Sequence, residues 1–289
     1  MNYVLISIGT VPEYIKFTLN SILSVDKEAN IFLCSDQKNN YNYKNVKFVN
    51  IESLNNKKVQ LFKNLNLYKE TIFESNPLWE ASALRVFYLE SIKPILGLDS
   101  FVHFDNDVLI YKPFDAIKDN FSDNKFNITK ASDKHIIFGY SYISDINPLS
   151  EITEKIIELS NYGQSHEWSF NYGKPYNEMD FLARVFSNNK ELFNCLPILP
   201  YESKISFDPS SYGQFLDGTH LQPKKFYSGK YVNINHHIGT EIISKRIRVK
   251  FQNNKPEVIW RKKSFDIANL HIHSKRLNRF LPKEYKDYV

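Results

Sequence analysis

The sequence contains little cysteine and has no long apolar run. Only Cys34 and Cys195 occur among 289 residues, and neither belongs to a CxxC pair. Neither a disulfide framework nor a zinc knuckle is therefore available, and we expect a reducing, cytoplasmic location. The N-terminus has no basic segment followed by an apolar one, so no signal peptide is expected. No stretch reaches the roughly 20 apolar residues of a transmembrane helix.

The charge of the chain is also limited, at +5 with a pI of about 8.9. This small excess favours anionic partners such as nucleotides or a membrane surface, and it is too weak to indicate nucleic acid. Hydrophobic residues make up 42% of the chain, which is enough for a sizeable core. We predict one domain over 1–289, with a nucleotide-binding half over 1–115 and an acceptor-side half over 116–289.

The N-terminal residues predict a β-α-β unit. A β-rich run over 3–8 is followed by Thr10 and Glu13, whose spacing matches a capping box at the start of a helix. The apolar positions of that helix recur at helical spacing and are Ile15, Leu19, Ile22 and Leu23. A second strand is predicted over 31–34. The loops after parallel strands lie at the carboxyl edge of the sheet, where open α/β folds bind ligands.

Two carboxylates follow a later apolar run. Residues 77–95 predict a helix with Arg85 at the edge of its apolar stripe, and the run FVHFDNDVLIY over 101–111 carries Asp105 and Asp107. Because side chains alternate along a strand, both carboxylates are expected on one face. A divalent cation would relieve their repulsion, and oxygen ligands suit Mg²⁺ or Mn²⁺. An ordinary acidic turn is the alternative, since the spacing is common.

The rest of the chain is less regular. A third strand is predicted over 46–51, and one helix within 145–159. The stretch over 161–180 is rich in aromatic residues and glycine, which is typical of a long loop that becomes ordered around a ligand or of an irregular surface loop. Sugar faces rest on aromatic rings, although core packing is the alternative for each candidate. The candidates for such an acceptor platform are Trp168, Tyr172, Tyr176 and Tyr212. The adjacent His236 and His237 are interpreted as structural.

Four blocks of the sequence together resemble GT-A glycosyltransferases, particularly the family 8 type that includes glycogenin and lipopolysaccharide galactosyltransferases. Residues 81–115 hold an Arg-bearing helix, a strand ending in DxD and the turn KPFD. NEMDFL over 177–182 is similar to an acidic and amide motif that faces donor and acceptor. NLHIHSK over 269–275 is similar to the C-terminal strand whose histidine completes the metal site, although the family 8 pattern HxxGxxKPW does not follow it. The run over 207–220 resembles a GQ-containing loop of capsule and large-virus glycosyltransferases.

This resemblance implies an α/β fold of the GT-A type, with a Rossmann-like, mostly parallel central sheet flanked by helices and a smaller C-terminal acceptor-side region. It implies a metal-dependent enzyme that transfers a sugar from a nucleotide-diphosphate sugar, a UDP-sugar being favoured, to a glycan or other hydroxyl acceptor. The metal ligands would be Asp105 and Asp107 with His271 or His273, of which His273 is slightly favoured. An imidazole ligand favours Mn²⁺ over Mg²⁺. The residues expected to contact the donor are Gly9, Thr10, Asp36, Arg85, Asn106 and Lys275.

The stereochemistry of transfer is left open by the sequence. If the enzyme retains the anomeric configuration, which is slightly favoured, Asp180 would hold hydroxyl groups of the donor sugar. If it inverts, Glu178 or Asp208 would be the general base that takes the proton of the acceptor. Positions two apart on a helix diverge by about 200°, so at most one of Glu178 and Asp180 is expected to face the reaction centre.

Other functions remain as alternatives. A sugar nucleotidyltransferase normally begins with a Gly-rich loop and a basic residue, whereas SIGTVPEY over 7–14 has one glycine and no arginine. A non-catalytic glycan-binding relative would leave the carboxylates without a role, and a glycosidase would need two opposed carboxylates instead of a DxD. The tail over 274–289 alternates basic and apolar residues. That pattern predicts either weak peripheral contact with a membrane or a segment that closes over the active site.

Overall fold

The computed structural model describes residues 1–37, 43–71, 73–165, 176–220 and 231–289. The strands are β1 (Asn2–Ser7), β2 (Asn30–Ser35), β3 (Val46–Asn50), β4 (Phe101–His103), β5 (Val108–Ile110), β6 (Phe126–Ser132), β7 (His135–Ile143), β8 (Phe193–Cys195), β9 (Ile205–Ser206), β10 (Ile247–Gln252), β11 (Lys255–Trp260), β12 (Lys263–Ile267) and β13 (Asn269–His271). The helices are α1 (Ile15–Val25), α2 (Lys57–Asn64), α3 (Leu78–Leu96), α4 (Asn147–Ser165), α5 (Glu178–Asn188), α6 (Ser211–Asp217) and α7 (His237–Ile243).

Seven strands form the central sheet, in the order β3-β2-β1-β4-β7-β6-β8. β3, β2, β1 and β4 are parallel, β7 is antiparallel to both of its neighbours, and β8 is parallel to β6. One strand of the seven therefore runs against the others, which confirms the prediction of a mostly parallel sheet. Because β4 pairs with β7, the sheet continues across the predicted boundary at residue 115.

The alternation of side chains along β1 buries both faces of this sheet. Val4 and Ile6 pack with α2, α3, α4 and α5 on one side. Tyr3 and Leu5 point to the other side, where α1 contributes its predicted stripe. Strands that are apolar on both faces need helices on both faces, which is the layered α/β arrangement expected from the sequence.

The predicted capping box at the start of α1 is wrong. Thr10 is exposed, and α1 begins at Ile15 after an N-cap residue, Tyr14, that makes no side-chain cap. The backbone turns first, since the Ile15 N–H donates to the Pro12 carbonyl at 3.0 Å. Thr10 therefore lies too far from the first free N–H groups of the helix to accept from them.

The predicted strand over 101–111 is two strands. β4 ends at His103, β5 begins at Val108, and the intervening residues form a turn that carries both carboxylates. β5 leaves the central sheet and pairs antiparallel with β13. A separate four-stranded sheet, in the order β10-β11-β12-β9, lies next to this pair. Its buried side chains form a third core with residues of β5, β13 and α6.

Among the residues described, no helix is both long and apolar enough to span a membrane. The apolar side chains of the C-terminal tail do not support the predicted membrane contact. Leu277 and Phe280 are buried in the third core, and the Phe280 carbonyl accepts a hydrogen bond from the Tyr111 hydroxyl at 2.5 Å. A membrane-binding segment would have to expose these side chains instead.

Candidate active site

Asp105, Asn106 and Asp107 form a turn, which we call the DND turn, at the carboxyl edge of the parallel strands. It follows β4, as Gly9 follows the neighbouring β1. The turn is fixed by backbone bonds, because the Asp105 N–H donates to the Phe138 carbonyl at 2.9 Å and the Val108 N–H donates to the Asp105 carbonyl at 3.1 Å. The side chain of Asp105 is 17% exposed and that of Asp107 is 5% exposed. Two carboxylates with little access to water therefore lie side by side.

His271 reaches these carboxylates because β13 pairs with β5. His271 stands opposite Val108, and the Ile272 N–H donates to the Asp107 carbonyl at 2.9 Å. The His271 Nε2 lies 3.2 Å from Asp107 Oδ1 and 3.5 Å from Asp105 Oδ2. One ligand atom from each of the three side chains lies within 4.8 Å of the others. We call Asp105, Asp107 and His271 the carboxylate–histidine cluster.

The electrostatics of this cluster favour a cation between its members. Burial disfavours the imidazolium, but Asp107 and Asp105 outweigh burial and raise the pKa of His271 to about 9. Burial also opposes ionisation of Asp107, yet His271 and Lys275 hold the pKa of that carboxyl well below its usual range. The positively charged imidazolium of His271 thus compensates part of the negative charge of the two carboxylates. Two carboxylate oxygens and an imidazole nitrogen also form a suitable donor set for Mn²⁺, whose binding would displace that proton.

Arg85 joins the cluster to α5. Its guanidinium donates to Asp105 through one nitrogen and to Glu178 Oε2 through the other at 2.7 Å. It also stacks over the Phe138 ring, 4.7 Å from the ring centroid. Burial raises the pKa of Glu178 to about 7, and Asp105 adds to this shift while Arg85 opposes it. The helix predicted to carry Arg85 is present as α3, and it places the guanidinium against the DND turn.

Lys275 lies on the opposite side of the cluster. Its ammonium bonds Asp107 and lies 5.7 Å from the ring centroid of Tyr14. Burial raises the pKa of Tyr14 to about 12, with Asp107 and Asp105 contributing in the same direction. Sequence reasoning did not identify Tyr14 as a site residue. The signal that could have found it is its place in the loop between β1 and α1, at the same edge of the sheet.

The predicted donor-binding loops also meet at this edge. The Gly9 N–H donates to Asp36 Oδ1 at 2.8 Å, which ties the loop after β1 to the loop after β2. The Asn106 amide donates to the Ile6 carbonyl at 3.0 Å, while its side-chain oxygen is buried without a partner among the described residues. Thr10 is exposed beside them. Gly9, Asp36 and Asn106 thus lie just beyond the carboxyl ends of β1, β2 and β4.

Glu178 and Asp180 diverge, as expected for positions two apart at the start of α5. Glu178 is buried against Arg85, whereas Asp180 belongs to a capping box with Asn177. The Asp180 carboxylate also lies 4.0 Å from His135 Nε2. Burial raises the pKa of Asp180. Of the two, Glu178 is the residue that the structure joins to the cluster.

The position of Asp208 does not favour its predicted use as a general base. Its side chain is fully buried, and each carboxylate oxygen accepts two backbone N–H groups. Burial raises the pKa of Asp208, and these hydrogen bonds oppose the shift because they stabilise the ionised form. No oxygen of this group faces a space where an acceptor hydroxyl could approach.

The sequence predicted that either His271 or His273 would join the two carboxylates as a metal ligand. His273 lies outside the carboxylate–histidine cluster. Its ring centroid is 5.3 Å from that of His220 and 6.0 Å from that of His271, and its Nδ1 is buried without a partner among the described residues. Burial lowers the pKa of His273 to about 4. β13 ends at His271, so His273 lies beyond the strand that carries His271 to the carboxylates. The slight preference for His273 over His271 is therefore not supported.

The aromatic candidates that the structure describes belong to the core. Tyr212 is fully buried and its hydroxyl donates to the Ile198 carbonyl at 2.6 Å. Tyr176 is buried against Phe181, with ring centroids 5.5 Å apart. Core packing, the alternative stated for each, fits both. Trp168 and Tyr172 lie outside the described residues.

His236 has the structural role that was predicted for it. Its ring is buried between Ser211, whose Oγ is 2.7 Å from Nδ1, and Asn233, whose amide nitrogen is 3.0 Å from Nε2. His237 begins α7 and is exposed. Neither histidine contacts the carboxylate–histidine cluster.

Comparison with solved structures finds likenesses to glycosyltransferases. Mouse xyloside xylosyltransferase 1 in its apo form is 14% identical, with a TM-score of 0.48, covering 68% of this chain and 86% of that one. The PaToxG glycosyltransferase is 16% identical, with a TM-score of 0.41 and coverages of 65% and 69%. The galactosyltransferase LgtC, in complex with donor and acceptor sugar analogues, is 14% identical, with a TM-score of 0.37 and coverages of 64% and 70%.

These neighbours belong to the class that the sequence blocks resemble. No family model and no curated protein sequence matches the chain. At such identities and TM-scores the likeness carries no conclusion about chemistry. The functional argument therefore depends on the geometry of the carboxylate–histidine cluster.

Proposed function

We propose that this chain is a metal-dependent glycosyltransferase that moves a sugar from a nucleotide-diphosphate sugar to a hydroxyl group of a glycan. The observation that carries the proposal is the carboxylate–histidine cluster at the carboxyl edge of the parallel strands. Asp105, Asp107 and His271 would hold Mn²⁺, or Mg²⁺ with lower preference because of the imidazole. A cation bound there supplies Lewis acidity for a diphosphate leaving group.

The balance of charge around the cluster supports a bound cation. Asp105, Asp107 and Glu178 provide three carboxylates, whereas Arg85 and Lys275 provide two permanent cations. When His271 is neutral, as a metal ligand must be, ionisation of Glu178, whose pKa is raised to about 7, leaves an excess of negative charge in a poorly hydrated site. A divalent cation reverses this balance and attracts the diphosphate of the donor.

The residues around the cluster have distinct proposed roles in donor binding. Arg85 and Lys275 would bond phosphate oxygens, since both are cations held at the cluster before donor binds. The Gly9 loop and Asp36 would contact the nucleoside, with uridine as the favoured nucleoside. Asn106 would contribute its unpartnered side-chain oxygen to the same region. These contacts stabilise the charge that grows on the departing diphosphate.

We further propose that transfer retains the anomeric configuration. An inverting enzyme needs a free carboxylate within reach of the acceptor hydroxyl. Glu178 is occupied by Arg85, and Asp208 is enclosed by four backbone N–H groups. Asp180 would then contact hydroxyl groups of the donor sugar. Proton NMR of the first-formed product tests this: a retained anomer is expected, and an inverted one contradicts it.

The experiment for the proposed function is a panel of nucleotide sugars incubated with the protein and Mn²⁺, with a chelator in parallel. Release of nucleoside diphosphate from one donor, lost on chelation, is the expected result. Release of pyrophosphate from a nucleoside triphosphate and sugar phosphate would indicate a nucleotidyltransferase instead. Thermal stabilisation by a glycan with no turnover of any donor would indicate a non-catalytic binding protein.

A further inference from the structure

The carboxylate of Asp208 is enclosed by backbone from two elements. Oδ1 accepts the N–H groups of Ser210 at 2.9 Å and Tyr212 at 2.8 Å. Oδ2 accepts those of Gly213 at 2.9 Å and His271 at 3.0 Å. One carboxylate therefore joins the first turn of α6 to the residue of β13 that enters the carboxylate–histidine cluster.

Asn269, which lies two residues before His271, makes a second set of hydrogen bonds that holds β13 in place. The Asn269 side chain accepts from the Asp208 N–H at 3.1 Å and donates to the Asp208 carbonyl at 3.0 Å. The same amide donates to the Gly139 carbonyl at 2.9 Å, which fixes the strand against β7. The Asn269 side chain thus bonds the backbone of Asp208 through both its oxygen and its nitrogen, and both residues are fully buried.

The residue after Asp208 sets the orientation of the histidine ring. The Pro209 carbonyl lies 3.2 Å from His271 Nδ1, so Nδ1–H is the donor there. With the proton of a neutral ring on Nδ1, the lone pair of Nε2 points at Asp105 and Asp107.

From these contacts we propose that Asp208 is a positioning residue that presets the backbone and ring of His271 for metal binding. The inference rests on the proposed function, because it takes His271 as a metal ligand. Asp208 does not touch the cluster carboxylates in this role; it acts through the His271 N–H and through the loop that presents the Pro209 carbonyl. Outer partners of metal ligands typically contribute about ten- to a hundredfold in metal affinity.

The direct test is Asp208→Asn, with Mn²⁺ affinity measured by electron paramagnetic resonance on the full chain without nucleotide. In this variant an amide NH₂ group replaces one carboxylate oxygen. That NH₂ group is a donor, and it would face two backbone N–H donors. We expect the dissociation constant for Mn²⁺ to rise about ten- to a hundredfold. Urea unfolding of each variant reports its stability separately, so a change in affinity is not confused with a change in the folded fraction.

A second variant disturbs the same junction without changing Asp208. Gly213 packs so closely on β13 that a Cβ at this position would collide with the His271 carbonyl. Gly213→Ala should therefore displace His271 and weaken Mn²⁺ binding. Gly239→Ala is the matched control, because a Cβ at this position of α7 would collide with the Asn233 carbonyl, which precedes the helix. It should lower stability and leave Mn²⁺ affinity unchanged.

The outcomes separate the two proposals. If the wild-type chain binds no Mn²⁺, or His271→Ala binds it equally well, the proposed function fails, and this inference fails with it. If His271→Ala loses binding while folded Asp208→Asn and Gly213→Ala keep the wild-type affinity, only the positioning role is overturned. Equal weakening by Gly239→Ala would overturn it as well. Failure of both junction variants to fold while Gly239→Ala folds would assign Asp208 to the fold as a whole and also contradict the proposal.

Discussion

Asp107 and Asp217 are both buried carboxylates bonded by basic residues of the segment after β13, yet their surroundings differ. Asp217 accepts from Ser274 Oγ at 2.7 Å, from Arg276 Nε at 2.7 Å and from Arg279 at 2.9 Å. We call these four residues the Asp217 cluster. Asp107 instead has a second carboxylate, Asp105, beside it, and shares His271 with it.

The difference supports the proposal that the carboxylate–histidine cluster, and not the Asp217 cluster, binds a ligand. In the Asp217 cluster two arginines face one carboxylate, and every bond runs between groups of the chain, so no additional cation is needed. In the carboxylate–histidine cluster two adjacent carboxylates share one imidazole, and Arg85 divides its hydrogen bonds between Asp105 and Glu178. A carboxylate whose charge is fully compensated by groups of the chain stabilises the fold. Carboxylates whose charge is only partly compensated can bind a cation.

The largest effect should come from removing a carboxylate of the carboxylate–histidine cluster. Asp107→Asn should lower the rate of sugar transfer by about a hundredfold or more, because a group that stabilises the transition state is lost. Asp217→Asn is the matched control and should keep the wild-type rate per folded molecule. Initial rates at saturating donor provide the measurement, and equal losses in the two variants would remove the distinction between the regions.

A smaller loss is expected from Arg85→Lys, which keeps the charge but cannot bond Asp105 and Glu178 through two nitrogens at once. Loss of one hydrogen bond between charged groups costs about 1.5–3 kcal/mol, so the ratio kcat/KM should fall about tenfold or more. Arg276→Lys makes the same change in the Asp217 cluster. If it lowers kcat/KM as much, the contact of Arg85 with the DND turn has no special role.

The Asp217 cluster should matter for stability. Asp217→Asn leaves two arginines and a serine hydroxyl without their carboxylate, and we expect the free energy of unfolding to fall by about 1–3 kcal/mol. Partial exposure of both arginines limits the loss, since water can replace some of the bonds. Urea unfolding gives the value, and Mn²⁺ binding should be unchanged. A stable variant with weakened Mn²⁺ binding would contradict this assignment.

The effect that is smallest at neutral pH concerns His236, which lies in neither cluster. Burial lowers its pKa from 6.5 to about 4, and the nearby His135 and His237 add to this shift. The unfolded chain therefore binds the proton more readily, so the stability from neutral His236 is present above pH 6.5 and lost as pH falls towards 4. His271, with its raised pKa, loses its contribution only as pH rises through about 9.

We expect His236→Asn to flatten the fall in unfolding free energy between pH 6.5 and 4, by at most about 1.4 kcal/mol per pH unit. The difference between variant and wild type isolates His236 from Glu178, whose raised pKa changes stability in the opposite direction over this range. Urea titrations at several pH values supply the slopes. If the unfolding free energies of the variant and the wild type change equally with pH, His236 is not buried in its neutral form.

Local patterns were enough to predict the first strands, the apolar stripe of α1, and α3 with Arg85 on it, whereas the contact of Arg85 with Asp105 was not foreseen. The DND segment itself was predicted as one strand because its apolar residues continue through the turn. The Asp217 cluster was not foreseen, because its members come from α6 and from the segment after β13, which only the tertiary fold brings together. Likewise, the pairing of β13 with β5 selects His271 over His273, and nothing in NLHIHSK alone determines where that strand ends.

We propose that the carboxylate–histidine cluster binds the diphosphate of a nucleotide through a divalent cation. Isothermal titration calorimetry of UDP into the wild-type chain, with Mn²⁺ and then with excess chelator, measures this binding. We expect binding with Mn²⁺ that is lost on chelation, lost in Asp107→Asn and retained in Asp217→Asn. If the affinity for UDP is the same with and without chelator, the cluster does not bind the diphosphate through a metal.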